Sequence, residues 1–532
     1  MNGFKLPIIM ESEKTPLVTQ LVEIIRQQNE MLQKMRDENA RLKGQKAKPT
    51  IKPSLMEEET ERDRRSKSKG QKRPGSAKRE KNKNLEIHRT ELLKVDGLPV
   101  GAKFQGYAEW VAQDLNISPF NTLYRMEKWK LPDGSYVQAK LPDTARTHFG
   151  ITLQGYILYQ YHQCHVTQPL LLEQLREFGI DISSGQLNVI LTEKNELFHE
   201  EKNEILKTGI EVSSFIQTDD TGARHDGKNG YCTHIGNDLF AWFKSTESKS
   251  RLNFIELMSG GKTSFLINED SIAYMQMCGI ERAPLLLGLP YAKKRFETRE
   301  EFESHLRFLG IWENRSHLLA TEAALLASLL EQGLNRDLVI LSDDAGQFDL
   351  ILLYHALCWV HAERHVHKLI PETEAHRKIQ EKYRDQIWRL YRKLKIYKEK
   401  PSLCRRKWIE LQFDLVFNKK TGYPALNEVL GRIFKNKKEL LLVLDRPEIP
   451  IHNNGSESDI REYVKRRNVS GSTRSDPGRE SRDTFTSLKK TCRKLGISFW
   501  AFLQDRLAEA KLIPKLTEVM RIQASLSPAH AR

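Results

Sequence analysis

The sequence predicts a multidomain α/β protein: an α/β core that carries paired carboxylates, with a coiled-coil helix and smaller modules ahead of it. Three observations predict this. The 532 residues exceed what one hydrophobic core normally holds. A heptad seam near the N-terminus runs into a tract almost empty of apolar residues, a combination foreign to one compact unit. Far apart in the chain, two apolar β-prone runs each end in an acidic pair, Thr218-Asp219-Asp220-Thr221-Gly222 and Ser342-Asp343-Asp344-Ala345-Gly346.

In chain order, Val18, Leu21, Ile25, Gln28, Leu32, Met35, Asn39 and Leu42 alternate at spacings of three and four. Residues 12–44 therefore form a coiled-coil helix through which copies pair, with Asn39 fixing register at an a position; the plainer alternative is an amphipathic helix packed on its own domain. Residues 45–84 form a disordered basic linker, because Arg62–Lys83 holds eleven basic residues against two acidic ones and cannot bury a core. It is either an arm that lies along phosphates, with Lys72 and Arg73 among its candidate DNA contacts, or a solvated tether. Residues 85–145 read as a small β-rich module, since Thr122–Leu131 and Ser135–Ala139 are joined through the turn signal Pro132-Asp133-Gly134. Residues 146–210 hold three helical stretches: Ile151–Cys164, Pro169–Phe178 ended by Gly179, and a long one opening at Ser183 or Ser184. That is the order of a helix-turn-helix, whose last helix would enter the major groove, although two helices around a glycine occur in any α protein.

Residues 211–365 open the core. Between Ser214 and Met258 the runs SFIQTDDTGA, YCTHIG, LFAWFKST and RLNFIELM are β-rich and separated by polar turns. Three antiparallel strands in sequence begin a ribonuclease-H-like fold. The second acidic pair closes the short apolar strand Leu338–Ser342. A buried strand end is a rigid place to hold a carboxylate, and a divalent cation removes the cost of crowding like charges. Asp219 and Asp343 are therefore candidate metal ligands. A third acid should come from a helix facing these strand ends, and His452-Asn453-Asn454-Gly455-Ser456-Glu457 supplies it. Ser456 is the expected N-cap, Glu457 falls in the first turn, and Arg461 follows one turn later on the same face. Three such carboxylates could hold two Mg²⁺ ions about 3.5–4 Å apart, with Mn²⁺ as a substitute, and cut and join phosphodiesters. Read singly, each is one of 70 Asp and Glu residues and a surface charge; only the joint context singles out the three.

A net charge of +15 favours an acidic partner, most often nucleic acid in a large soluble chain. The six cysteines are scattered without a C-x-x-C pair, which fits a reducing compartment and excludes a disulfide framework. No apolar run approaches the roughly 20 residues of a bilayer span, and the N-terminus lacks a signal-peptide pattern. A soluble, intracellular protein with no membrane partner is expected.

At TDDTG around Asp219, CWVHAERH from Cys358 to His365 and PIHNNGSE ending at Glu457, the sequence resembles the DDE transposases of insertion-sequence family 66. VKRRNVSGSTRS, Val464–Ser475, and the helical TSLKKTCRKLGISFWAFLQDRL are also similar. The resemblance covers the chain from the zipper to about Leu507. It implies a transposase that binds the inverted repeats of a mobile element and cuts and joins double-stranded DNA, working as a homodimer or higher oligomer through its coiled coil. It leaves open whether accessory proteins of the same element are needed, and it implies a bacterial cytoplasmic protein associated with the nucleoid. Asp219, Asp343 and Glu457 match the family's metal-binding acids. His361 would stand near the scissile phosphate. Arg461, Lys465, Arg466, Arg467 and Arg474 are candidate DNA contacts, the plainer alternative being a generic surface patch.

The architecture implied is a core interrupted by an all-helical insertion over 366–447 and completed over 448–510, with a tail at 511–532. Three features depart from the family: no cysteine ribbon follows the linker, an extra helical stretch lies around Gly261–Gly333, and Ser458 replaces the usual arginine. Cys358, His361, His365 and His367 resemble half a zinc site, weighed here against a helix packed beside the acids. The competing readings are a ribonuclease-H-like DNA nuclease and a domesticated, catalytically inactive DNA-binding protein.

Overall fold

The computed structural model describes residues 86–94, 96–97, 102–105, 107–142, 147–261, 263–283, 294–312, 315–371, 373–527 and 530. The coiled-coil helix expected over 12–44, and the linker over 45–84 with Lys72 and Arg73, lie outside them. The chain divides into two units, one of residues 1–49, 124–176 and 181–532, the other of 50–123 and 177–180. In the second, the described residues up to 123 form no helix or strand and expose large apolar side chains such as Trp110 and Phe120.

In the first unit, β1 (Lys128–Lys130) and β2 (Tyr136–Gln138) pair antiparallel. Their turn is the expected one: Gly134 has φ +85°, and Asp133 accepts the backbone N–H and hydroxyl of Ser135 at 2.9 and 2.7 Å. Every residue of both strands is exposed. With no apolar face to bury, such a hairpin gains nothing by lengthening. The β-rich module thus reduces, among the described residues, to this hairpin.

Helices α1 (Ile151–His162), α2 (Gln168–Glu177), α3 (Ser184–Thr192) and α4 (Glu196–Val212) follow. A Ser183–Gln186 capping box starts α3. The single long helix expected from Ser183 is two helices, because Lys194 takes a left-handed φ of 56° and breaks the run. Leu187 and Leu191 of α3 are buried, and α3 packs on α1.

The central sheet holds β3 (Phe215–Gly222), β4 (Tyr231–Gly236), β5 (Ala241–Thr246), β8 (Val339–Ser342) and β9 (Tyr354–Leu357) in the order β5-β4-β3-β8-β9. The β3-β4 and β4-β5 pairs are antiparallel, and the β3-β8 and β8-β9 pairs parallel. RLNFIELM, expected as β, is helix α5 (Arg251–Met258): Ser250 caps it by accepting from Asn253 N, and the buried Phe254, Ile255 and Met258 recur at helical spacing.

Between α5 and β8 lies a subdomain rather than a purely helical stretch. The antiparallel pair β6 (Phe265–Ile267) and β7 (Lys294–Phe296) stands with α6 (Glu269–Met277), α7 (Arg299–Phe308) and α8 (Arg315–Glu331). Residues 319–330 of α8 are all buried. After α9 (Trp359–His367), the expected helical segment appears as α10 (Glu374–Glu399), α11 (Leu403–Phe417), α12 (Pro424–Lys435) and the single-turn α13 (Lys437–Leu440).

The core closes with α14 (Asn454–Ser470), α15 (Asp476–Lys494) and α16 (Phe499–Leu507). Helix α15 lies along β5 and receives its outward N–H groups on side chains. Ala241 N donates to Thr491 Oγ1 at 3.1 Å, Phe243 N to Ser487 Oγ at 2.9 Å and Ser245 N to Asp483 Oδ2 at 2.7 Å. An exposed strand margin is thereby covered and its donors satisfied. The expected tail folds into α17 (Leu516–Leu526), which packs on α4 with Arg521 paired to Glu211 at 2.7 Å. Among the described residues no helix is long and apolar enough to cross a membrane.

Candidate active site

Asp219 and Asp343 are brought side by side by strand register. Gln217 pairs with Leu341 across the parallel β3-β8 ladder, and each aspartate stands two residues further along, so both leave the sheet on the same face. Gln217, on that face, donates from Nε2 to His452 O at 2.9 Å, which ties it to the start of α14 and hence to Glu457.

A chain of hydrogen bonds fixes that start. Cys358 N donates to Ser342 O at 3.0 Å, Asn453 N donates to Cys358 Sγ at 3.2 Å, and Asn453 Nδ2 donates to Thr218 O at 2.8 Å. His234 Nδ1 shares a 2.7 Å bond with Ser456 Oγ, and the other ring nitrogen, Nε2, stands 3.2 Å from Asp459 Oδ2. Ser456 is thus not the N-cap: Asn453 occupies that position, and Ser456 is buried in the first turn. A Cβ on Gly455 would come 2.1 Å from Gln217 Oε1, so glycine makes room for the glutamine.

Burial is the main force on Asp219. Together with the charge of Asp343, and more weakly those of Asp220 and Glu457, it pushes this carboxyl up to about 8 against the pull of the Asp220 N–H. The neighbouring acids face elsewhere: Asp220 Oδ2 accepts from Gln347 Nε2 at 2.7 Å, and Asp344 Oδ1 from Asn436 Nδ2 at 3.1 Å. Arg251 donates to Gly346 O at 3.0 Å and reaches the buried Glu322 at 3.5 Å, which anchors the turn after Asp343 to the subdomain.

Glu457 is engaged by two arginines and an imidazole. Arg364 donates to its two oxygens at 3.0 and 3.4 Å, Arg461 lies at 3.5 Å and His361 Nε2 at 3.7 Å. His361 also meets Arg364 at 3.1 Å, and burial, then Arg364, hold its imidazole below the ordinary value. Among the described residues no three His, Cys, Asp or Glu side chains close into a metal-holding cluster. Cys358, 1 % exposed, has its thiol pushed up to about 11 by burial and accepts the Asn453 N–H at 3.2 Å.

The basic residues divide. Lys465, Arg461 and Arg474 are exposed. Arg466 is buried, donates to Tyr161 O at 2.8 Å and stacks 3.8 Å over the Tyr161 ring; its guanidinium is consumed inside the protein. Arg467 is half-buried and donates to Thr221 Oγ1 at 3.1 Å and to Gly222 O. The sequence reading missed Arg364, Gln217, Asn453, His234, Gln347 and Asn436. Arg364 lay in plain view, one helical turn beyond His361 in CWVHAERH.

A family model described as Transposase IS66 family matches residues 327–481, a span that holds Asp343, His361, Arg364 and Glu457. An uncharacterized protein of Sinorhizobium fredii (strain NBRC 101917 / NGR234), y4jO, is 40% identical over 305 residues, 57% of this chain and 94% of that one. The chain belongs to the IS66 transposase family. Within this IS66 chain the matched span begins in α8 and ends in α15, so it takes in the strand end of Asp343 and both helices that frame Glu457, while Asp219 lies outside it.

Proposed function

We propose that this IS66-family protein is a DDE transposase that binds the terminal inverted repeats of a mobile element and catalyses DNA strand cleavage and strand transfer. The sheet order supports a ribonuclease-H-like core: a central β3 with antiparallel β4 and β5 on one side and parallel β8 and β9 on the other. The single observation that carries the active-site assignment is Asp219. It is a half-buried carboxyl inside β3, two residues past the last β3-β8 pair, and the strongest charges acting on it are carboxylates.

Such a site is chemically suited to a hard divalent cation. Asp219 and Asp343 offer oxygen donors only, and Glu457 would complete the set once its carboxylate exchanged Arg364 for the cation. Bound there, Mg²⁺ or Mn²⁺ would activate the attacking oxygen and stabilise the leaving oxygen of a phosphodiester. The protein's own groups supply the rest. His361 and Arg364 stand beside Glu457 and would meet the scissile phosphate. Arg461, Lys465 and Arg474 would position the DNA backbone, and Arg467 would steady the end of β3. Arg466 is left out of the DNA-contacting set. Pairing through the N-terminal heptads, residence at the nucleoid and a need for accessory proteins belong to the same reading.

The test is strand transfer of a labelled element-end duplex into plasmid with Mg²⁺, comparing the wild type with Asp219→Asn, Asp343→Asn and Glu457→Gln. Joined product lost in all three supports the reading. Cleavage without joining points to a nuclease, and DNA binding without chemistry, in the presence of the element's other proteins, to an inactive binder.

A further inference from the structure

Helix α11 is apolar on two sides. One side is ordinary core, with Ile409, Phe413, Val416 and Phe417 buried. The other carries Cys404, Trp408, Leu411 and Leu415 at spacings of four, three and four, a straight stripe along the helix. This stripe faces solvent: Trp408 is 42 %, Leu411 55 % and Leu415 45 % exposed, and Cys404 is an exposed free thiol. Lys393 covers one face of the Trp408 ring at 3.4 Å, so the indole is already ordered. A helix with an apolar stripe on each of two sides is normally covered on both.

The charges beside the stripe select the cover. On one flank stand Lys407, exposed, and Asp414, which is 40 % exposed and reaches Lys437 at 2.6 Å. In two antiparallel copies of α11 centred between Trp408 and Leu411, Trp408 faces Leu411 of the other copy and Cys404 faces Leu415. The same two-fold sets Lys407 of each against Asp414 of the other, because like flanks meet in an antiparallel helix pair. Spacing and charge are therefore both self-complementary, as an isologous contact requires. A parallel pairing would bring unlike flanks together and set Lys407 against Gln412, losing the charge match.

We propose that α11 is an interface between two copies of this chain, packed antiparallel through Trp408, Leu411 and Leu415. One pair of fifteen-residue helices is small beside the roughly 1,200–2,000 Å² of a stable interface. It therefore forms between copies that other contacts already hold near each other.

The test is a disulfide. In the full-length Leu415→Cys protein, oxidised glutathione should link Cys404 of one copy to the new thiol of the other and give a covalent dimer on non-reducing gels. Removing the native thiol in Cys404→Ser/Leu415→Cys should abolish the link, and Glu410→Cys, which places a thiol off the stripe, should not link. Lys407→Asp should cut the yield of the Leu415→Cys link several-fold, and adding Asp414→Lys should restore it. A dimer that persists in Cys404→Ser/Leu415→Cys means a parallel or random encounter and overturns the proposal. So does the absence of covalent dimer in Leu415→Cys, which would leave the stripe to another occupant.

Discussion

A carboxyl held up to about 8 at Asp219 makes a signed prediction. Between its ordinary 3.8 and about 8 the folded chain keeps a proton that the unfolded chain has lost, so this residue makes stability fall as pH rises through that window. The buried imidazoles of His162 and His234, held low mainly by burial, work in the opposite direction, so the measurement is a difference. In metal-free buffer, the stability of Asp219→Asn minus that of wild type should grow from pH 5 to pH 8 in urea unfolding; a pH-independent difference would remove the electrostatic account. Mg²⁺ should raise the wild-type melting temperature more at pH 8 than at pH 5, and should do so little in Asp219→Asn. At Gly455 the added methyl of Gly455→Ala displaces Gln217 from His452 O. The expected cost is about 1–3 kcal/mol. Gln217→Ala should cost a similar amount alone, and the double substitution less than the sum, which a double-mutant cycle in urea reads directly. Little of this was legible beforehand. Acidic pairs after apolar runs announce themselves in one dimension, although β3 continues past Asp219 to Gly222, whereas Gln217 and Asn453 act across separations of 235 residues.

At the scale of elements, α9 and α14 hold each other through Arg364 and Glu457. Arg364→Ala removes a cation from the acid cluster. Strand transfer should then need a lower Mg²⁺ concentration for half-saturation, while its rate at saturating metal falls by about tenfold or more as Glu457 loses orientation. A higher metal requirement would mean that Arg364 is no competitor for the site. Buried Asp459 sits between His234, Lys490 and Lys494 at 3.2, 2.8 and 2.9 Å. Asp459→Ala should cost roughly 3–5 kcal/mol, since it leaves buried cations unpaired, and calorimetry would measure it. Elements with strong local signals were readable: the Pro132-Asp133-Gly134 turn, the β8 strand and the amphipathic α10. Elements whose signal lay in a cap were not. RLNFIELM looks β-rich by composition, but Ser250 accepts from Asn253 N at its start and Phe254, Ile255 and Met258 are buried at helical spacing. Ser456 looks like a cap by type and was drawn instead into the interior by His234.

For the whole molecule, the mixed sheet and the helical segment after α9 could be inferred because β-prone runs and amphipathic periods are spread over long windows. The subdomain at 264–331 could not, since β6 and β7 are three residues each and pair across an interval that gives no periodic signal. The helix within the tail at 511–532 gave no long periodic signal, since α17 is eleven residues and packs on α4. If Arg251 transmits the position of this subdomain to the turn after Asp343, Arg251→Ala should lower strand transfer while leaving binding to element-end DNA in a gel-shift assay unchanged.

The α15–β5 contact has a further consequence, which is metrical. Four helical residues advance about 6 Å and two strand residues about 6.8 Å, so the two rulers drift apart by nearly an ångström per step. A fourth step would bring Leu239 against Leu495, but β5 begins at Ala241, α15 ends at Lys494, and Leu239 N already donates to Asn237 Oδ1 at 2.9 Å. Three is the number this vernier can read, so deleting a single residue between Asp483 and Thr491 would put the divisions beyond it out of phase at once.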